Sequence, residues 1–158
     1  MLTAILTGAP IWVWPLLVLL LTLGFIASKS RSRPYIPIYF FWLFGGLSLN
    51  AVNSLAPAPM IWGAFGLAYL LGAAFGCRFQ DRIIIAKSKT RITLKGEWLS
   101  MIVLMTIFWM NFVGGVVQAI SPDAYASNGF HALFAIIAGL ASGTFIGRAI
   151  AVYRTPIT

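Results

Sequence analysis

Long apolar runs alternate with short polar interruptions along the whole chain. The apolar runs cover residues 11–28, 35–56, 58–77, 97–119 and 126–147. Each is close to the roughly 20 residues that a helix needs to cross the hydrocarbon core of a bilayer. None shows the apolar-polar alternation of a half-buried strand. The pattern predicts a single all-α membrane domain, a bundle of five transmembrane helices.

The interruptions are of two kinds. Pro57-Ala58-Pro59 and Ser121-Pro122-Asp123 are tight and carry no Lys or Arg; proline cannot continue a helix and restricts the residue before it, so both end a span. The others are basic. Lys29, Arg31 and Arg33, ended by Pro34, read as a short turn, and Arg78 to Lys95 holds six Lys and Arg residues. Within that second stretch, Arg82 to Ala86 and Arg91 to Leu94 are β-branched runs flanking Lys87-Ser88-Lys89-Thr90, which predicts a small hairpin with isoleucines facing in and lysines facing out. A lone two-stranded ribbon is marginal in water, so it is expected to lie against the membrane or the helix ends.

Composition agrees with the pattern. Hydrophobic residues make up 60% of the chain and charged residues 9%, against about a quarter charged in soluble domains. All eleven Lys and Arg residues fall on one side of the five spans: three in the first loop, six in the third and two in the tail. The excess of Lys and Arg on cytoplasmic loops then puts the amino terminus outside and the carboxyl terminus in the cytoplasm. The first eleven residues contain no Lys or Arg, so the positive segment of a cleavable signal is missing and the first run reads as a retained span.

The net charge of +8 points to anionic phospholipid headgroups, which attract each nearby Lys or Arg by about 1 kcal/mol, and not to nucleic acid. Lys29, Arg31, Arg33, Lys87, Lys89 and Arg91 are the candidate contacts to headgroups or a cytoplasmic partner. The single cysteine, Cys77, reads as a reduced structural thiol at the cytoplasmic end of the third span.

Small residues give the clearest packing signal. Ala135, Gly139, Gly143 and Gly147 recur every four residues in the fifth run, and Ala64, Ala68, Gly72 and Gly76 do so in the third. Such ladders let backbones approach closely where lipid gives no hydrophobic drive to associate. They predict packing through Gly72, Gly76, Gly139, Gly143 and Gly147, either within one bundle, if the third and fifth spans are neighbours, or between copies in a homo-oligomer.

Polar residues inside the spans are the candidate ligand contacts. Asn50, Asn53, Asn111, Gln118 and His131 all fall toward the outer side, and polar groups at that depth need partners or a wet cavity. They predict an outward-facing pocket between the second, fourth and fifth spans, with Trp109 beside it, or else amides bonding one another as helix glue. No cofactor and no metal is expected, because zinc wants three or four ligands and haem between two spans wants a second histidine. Enzyme chemistry is not expected either. The three acids are dispersed, with Glu97 read as an anion at a helix amino terminus paired with Lys95, and Asp81 as a partner of Arg78 or Arg82.

Two stretches carry a family likeness: Gly96-Glu97-Trp98 entering the fourth span, and Gly139-Leu140-Ala141-Ser142-Gly143-Thr144-Phe145-Ile146-Gly147-Arg148 closing the fifth. The chain resembles an uncharacterised family of small multi-pass bacterial inner-membrane proteins of unknown function. The resemblance implies a bacterial inner membrane and supplies no activity, and at Glu97 the family pattern has a small residue instead. Two functions fit this reading. One is a transporter or channel-like protein for a small polar or amphipathic solute that uses the polar pocket; the other is a non-catalytic adaptor or scaffold that recruits a cytoplasmic partner or anionic lipid through the basic loop.

Overall fold

A computed structural model of the chain describes residues 11, 13–34, 42–55 and 57–157. Among these, helix α1 spans Val13–Ala27, strand β1 Arg31–Pro34, α2 Trp42–Asn53, α3 Pro59–Ile83, β2 Ile84–Lys87, β3 Arg91–Leu94, α4 Leu99–Ile120, α5 Pro122–Tyr125 and α6 Asn128–Arg154. Helices α3, α4 and α6 are each long and apolar enough to cross a membrane, whereas α1 has 15 residues and the described part of α2 has 12. Residues 35–41, which open the predicted second run, lie outside the described residues.

Helices α3 and α6 form the centre of the molecule, and their contact is backbone against backbone. A Cβ added at Gly143 or Gly147 would overlap the carbonyl oxygens of Tyr69 and Ala73, and one at Gly139 would stand 2.7 Å from that of Phe65. From the other side, a Cβ at Gly72 or Gly76 would overlap the carbonyl oxygens of Leu140 and Thr144. Both ladders are therefore spent on one seam within the chain. Partner numbers rise together on both helices, so α3 and α6 run parallel. The inward face of α3 (Ala68, Gly72, Gly76) is small, while Leu67, Leu70, Leu71 and Phe75 face outward. This is the distribution of a helix in lipid, where small residues mediate packing and large apolar ones need no burial.

The other helices pack through side chains. At one end Val52 of α2 and Leu55 just after it meet Ile61, Phe65, Phe134 and Ala135; in the middle Val103 of α4 meets Ala141 and Phe145. The approach of α1 to α4 is antiparallel: Gly24 lies against Met101, and the Glu97 amide donates to the Ala27 carbonyl at 3.0 Å. Pro122 opens the single-turn α5, and the Ser127 hydroxyl caps α6 by accepting from the Phe130 amide at 3.2 Å, the usual service of a serine at that position.

The basic stretches depart from expectation in three ways. Helix α3 continues to Ile83, so Arg78 to Arg82 are helical and not loop; Gln80 and Ile83 extend the buried stripe of Gly72 and Gly76, and a buried face keeps the helix going. Helix α6 likewise reaches Arg154, so Arg148 is inside a helix and not in a tail. Residues Arg31 to Pro34 form a strand, not a turn, and the sheet is three-stranded and antiparallel in the order β1-β3-β2.

A third strand and a docking surface remedy the weakness of an isolated hairpin. Ile92 and Leu94 of β3 bury against Val152 of α6. Opposed residues in an antiparallel ladder share a face, so the pairings Arg31 with Leu94 and Lys87 with Ile92 put these two cations on the inner face as well, while Arg33, opposite Ile92 on the edge strand, stays exposed. The expected arrangement of isoleucines in and lysines out thus holds for Ile92 but not for Lys87, which is buried, or for Ile85, which is 63% exposed. The register shift between Ile84 and Ala86 turns Ile85 outward. Pro34 ends the edge strand, where its missing donor is harmless.

Candidate functional site

Beneath the sheet, three helices meet on one arginine. Arg148 of α6 is 4% exposed, and each of its nitrogens donates a hydrogen bond: Nε to Gln80 Oε1 of α3 at 2.8 Å, Nη1 to Ser100 Oγ at 2.8 Å and Nη2 to Glu97 Oε1 at 3.1 Å. Ser100 in turn donates its hydroxyl to Glu97 Oε1 at 2.5 Å and its amide to Glu97 Oε2 at 2.9 Å. The carboxylate thereby caps the first turn of α4 and neutralises Arg148 at once. This corrects the expected pairing of Glu97 with Lys95: Lys95 is exposed, and the salt bridge runs to Arg148. Each nitrogen of the buried charge is engaged, and losing the carboxylate would leave the guanidinium uncompensated.

Arg31 stands at the edge of this network. It is partly buried, and its Nε and Nη1 are closed off from water with no acceptor among the described residues. Burial pushes its pKa down, the neighbouring Arg33 pushes the same way and Glu97 opposes them. Arg148 adds a further, smaller repulsion. Two guanidinium groups thus sit in the field of one carboxylate, and that carboxylate is already engaged by Arg148 and Ser100.

Lys87 serves the fold. Its Nζ donates to the carbonyls of Val152 at 2.7 Å and Thr155 at 2.8 Å, closing the carboxyl end of α6, where a cation also meets the negative end of the helix dipole. Lys29, Arg33, Lys89, Arg91 and Lys95 are exposed around the sheet. The loop between Leu94 and α4 is drawn tight by Gly96, which packs on the Ser28 carbonyl so closely that a Cβ would overlap it.

The outer polar residues are placed differently from one another. His131 is buried, with the rings of Tyr125 and Phe130 at centroid distances of 6.4 and 6.5 Å. Asn50, Asn53, Asn111 and Gln118 are exposed on helix surfaces, and Asn111 donates to the Ile107 carbonyl of its own helix at 2.8 Å. No hydrogen bond joins any of these five to another among the described residues. Trp109, half exposed, lines an open apolar groove of about 720 Å³ along α4 with Trp98, Met101, Met105, Val113 and Ile137.

The arginine network carries a signal in the sequence that glycine spacing obscures. Gln80 stands four residues after Gly76 and prolongs its buried stripe by one turn, and Arg148 directly follows Gly147, the last member of the α6 ladder. A polar residue on a stripe otherwise reserved for close packing implies a buried partner across the seam. No family model, curated protein or solved structure matches this chain.

Proposed function

We propose that this chain is a five-span protein of the bacterial inner membrane, amino terminus outside and carboxyl terminus in the cytoplasm, that works as a non-catalytic scaffold engaging anionic phospholipid headgroups through its cationic sheet. One observation carries the functional reading: basic segments far apart in sequence, with Arg31 opposite Leu94 and Pro34 opposite Arg91, come together as one sheet seated on the ends of the long helices. Lys29, Arg33, Lys89, Arg91 and Lys95 are exposed there, where juxtamembrane cations meet the negative surface potential of the leaflet. Support for the topology comes from helix direction. Parallel α3 and α6 suit the third and fifth spans, and antiparallel α1 and α4 suit the first and fourth.

Transport of a small polar solute has less support. His131 is buried as a pocket residue should be, but the four amides expected beside it are exposed.

The scaffold reading is tested by replacing Lys29, Lys89, Arg91 and Lys95 with Gln in the full-length protein and measuring enrichment of phosphatidylglycerol over phosphatidylcholine in the lipid that copurifies from mixed vesicles. Enrichment should fall and should weaken with salt in the wild type; equal enrichment in both proteins overturns it. Topology is tested in a Cys77→Ser background, where Ser88→Cys should react only with reagent inside the cell and Ser127→Cys only with reagent outside.

A further inference from the structure

The sheet offers a site more specific than its exposed lysines. Arg31 Nε and Nη1 are sheltered from water and have no acceptor among the described residues, which is unfavourable for a charged donor unless something supplies one. The neighbouring carboxylate does not supply it, because Glu97 Oε1 takes Arg148 Nη2 and the Ser100 hydroxyl while Oε2 takes the Ser100 amide. The cluster of Arg31, Arg148 and Glu97 therefore carries one positive charge in excess. Arg33, two residues along the same strand and exposed, raises the local potential further. The sheltered, under-paired guanidinium of Arg31, beside a surface of exposed cations, matches the charge and planar donor geometry of a phosphate oxyanion.

We propose that Arg31 binds one phosphate oxyanion at the inner face of the sheet, with Arg33 adding positive potential, while Arg148, Gln80 and Ser100 keep Glu97 engaged and unavailable to Arg31. The group is the phosphodiester of an anionic phospholipid headgroup or a free phosphate. The proposal rests on the scaffold reading for its location at a lipid surface and adds to it a discrete site with a stoichiometry of one. Arg31 is the residue that holds the ligand; Glu97, Gln80 and Ser100 are positioning residues that never touch it.

The test uses the full-length protein in nanodiscs. One arm measures phosphatidylglycerol retained per chain by native mass spectrometry, from discs of phosphatidylcholine with increasing phosphatidylglycerol; the other titrates inorganic phosphate into discs of phosphatidylcholine alone. Wild type should retain one phosphatidylglycerol, or bind one phosphate, and Arg31→Gln should weaken that binding by about tenfold or more, the usual loss when a hydrogen bond to a charged group goes. Arg31→Lys keeps the charge without the planar fork and should also weaken it; this variant preserves the test should the Gln variant not fold. A Lys29→Gln/Lys89→Gln variant should change it only a few-fold, because these cations are exposed. Binding in the lipid arm alone identifies a headgroup site and binding in the phosphate arm a soluble anion; both uphold the shared chemistry. Wild-type affinity in both Arg31 variants, or no one-to-one species in either arm, overturns the site. The scaffold reading survives that result if the lysine variant still loses graded, salt-sensitive phosphatidylglycerol enrichment, and falls with the site if it does not.

Discussion

The seam between α3 and α6 is held by two kinds of physics along its length. Along its apolar length it consists of Gly72, Gly76, Gly139, Gly143 and Gly147, each against a backbone carbonyl of the facing helix or next to one. One turn further on it consists of Gln80 and Arg148, with Glu97 and Ser100 brought in from α4. Close packing in lipid needs the absence of side chains, because dispersion between backbones is what association can draw on there. The polar end needs the presence of every partner, because a buried charge tolerates no vacancy. The first part is intolerant of addition, the second of removal.

The largest effect should come from adding to the first part. Gly147→Leu places a branched side chain against the Ala73 carbonyl, a backbone atom that cannot move aside, and is expected to leave no monodisperse helical protein after extraction. Gly147→Ala should cost about 1–3 kcal/mol, as overpacking does. Gly66→Ala is the contrast: nothing stands within 4 Å of its added Cβ, so helix propensity should make it neutral or stabilising by up to about 1 kcal/mol. Thermal unfolding followed by helical ellipticity separates the three, and equal loss for Ala at 147 and 66 would remove the seam as the cause.

That asymmetry also explains how much of the molecule could be read in advance. Glycine every four residues is a local pattern, visible without knowing the partner, and these glycines lie on the two sides of the seam. The choice between intramolecular and intermolecular packing stayed open because it depends on whether α3 and α6 are neighbours. The Glu97 to Arg148 bridge spans 51 residues, and nearby Lys95 offered a simpler partner in sequence. Strand β1 was illegible for a related reason. Arg31-Ser32-Arg33-Pro34 has no strand propensity of its own and is extended because β3 pairs with it. The amides misled in the opposite sense: Asn111 satisfies itself on Ile107 within one turn, a bond that depth in the membrane does not reveal.

Removal from the polar part ranks second. Glu97→Ala leaves Arg148 buried without its counter-charge and frees the first turn of α4, an expected loss of about 3–5 kcal/mol. Adding Arg148→Met to that variant should recover part of the loss, since an apolar residue of similar length leaves no orphaned charge. A double-mutant cycle on unfolding free energy measures the coupling; strictly additive losses would mean that the pair does not act as a unit. Lys87→Met should cost less, about 1–2 kcal/mol, through the helix-end bonds to Val152 and Thr155. Its signature is local: amide exchange should quicken in the last turn of α6 while the glycine seam stays protected.

The smallest effect is expected at a residue that belongs to neither part. Asn111→Leu removes one side chain that is exposed and bonded only to its own helix, so the unfolding free energy should move by no more than about 0.5 kcal/mol. The replacement presents a leucine where α4 already presents Ile102, Trp109 and Val113, and a lipid-facing surface accepts that exchange. A loss of 2 kcal/mol or more would mean that the amide has a partner outside the single chain. It would make the outward face of α4 a second seam, one closed only when a second copy supplies the other side.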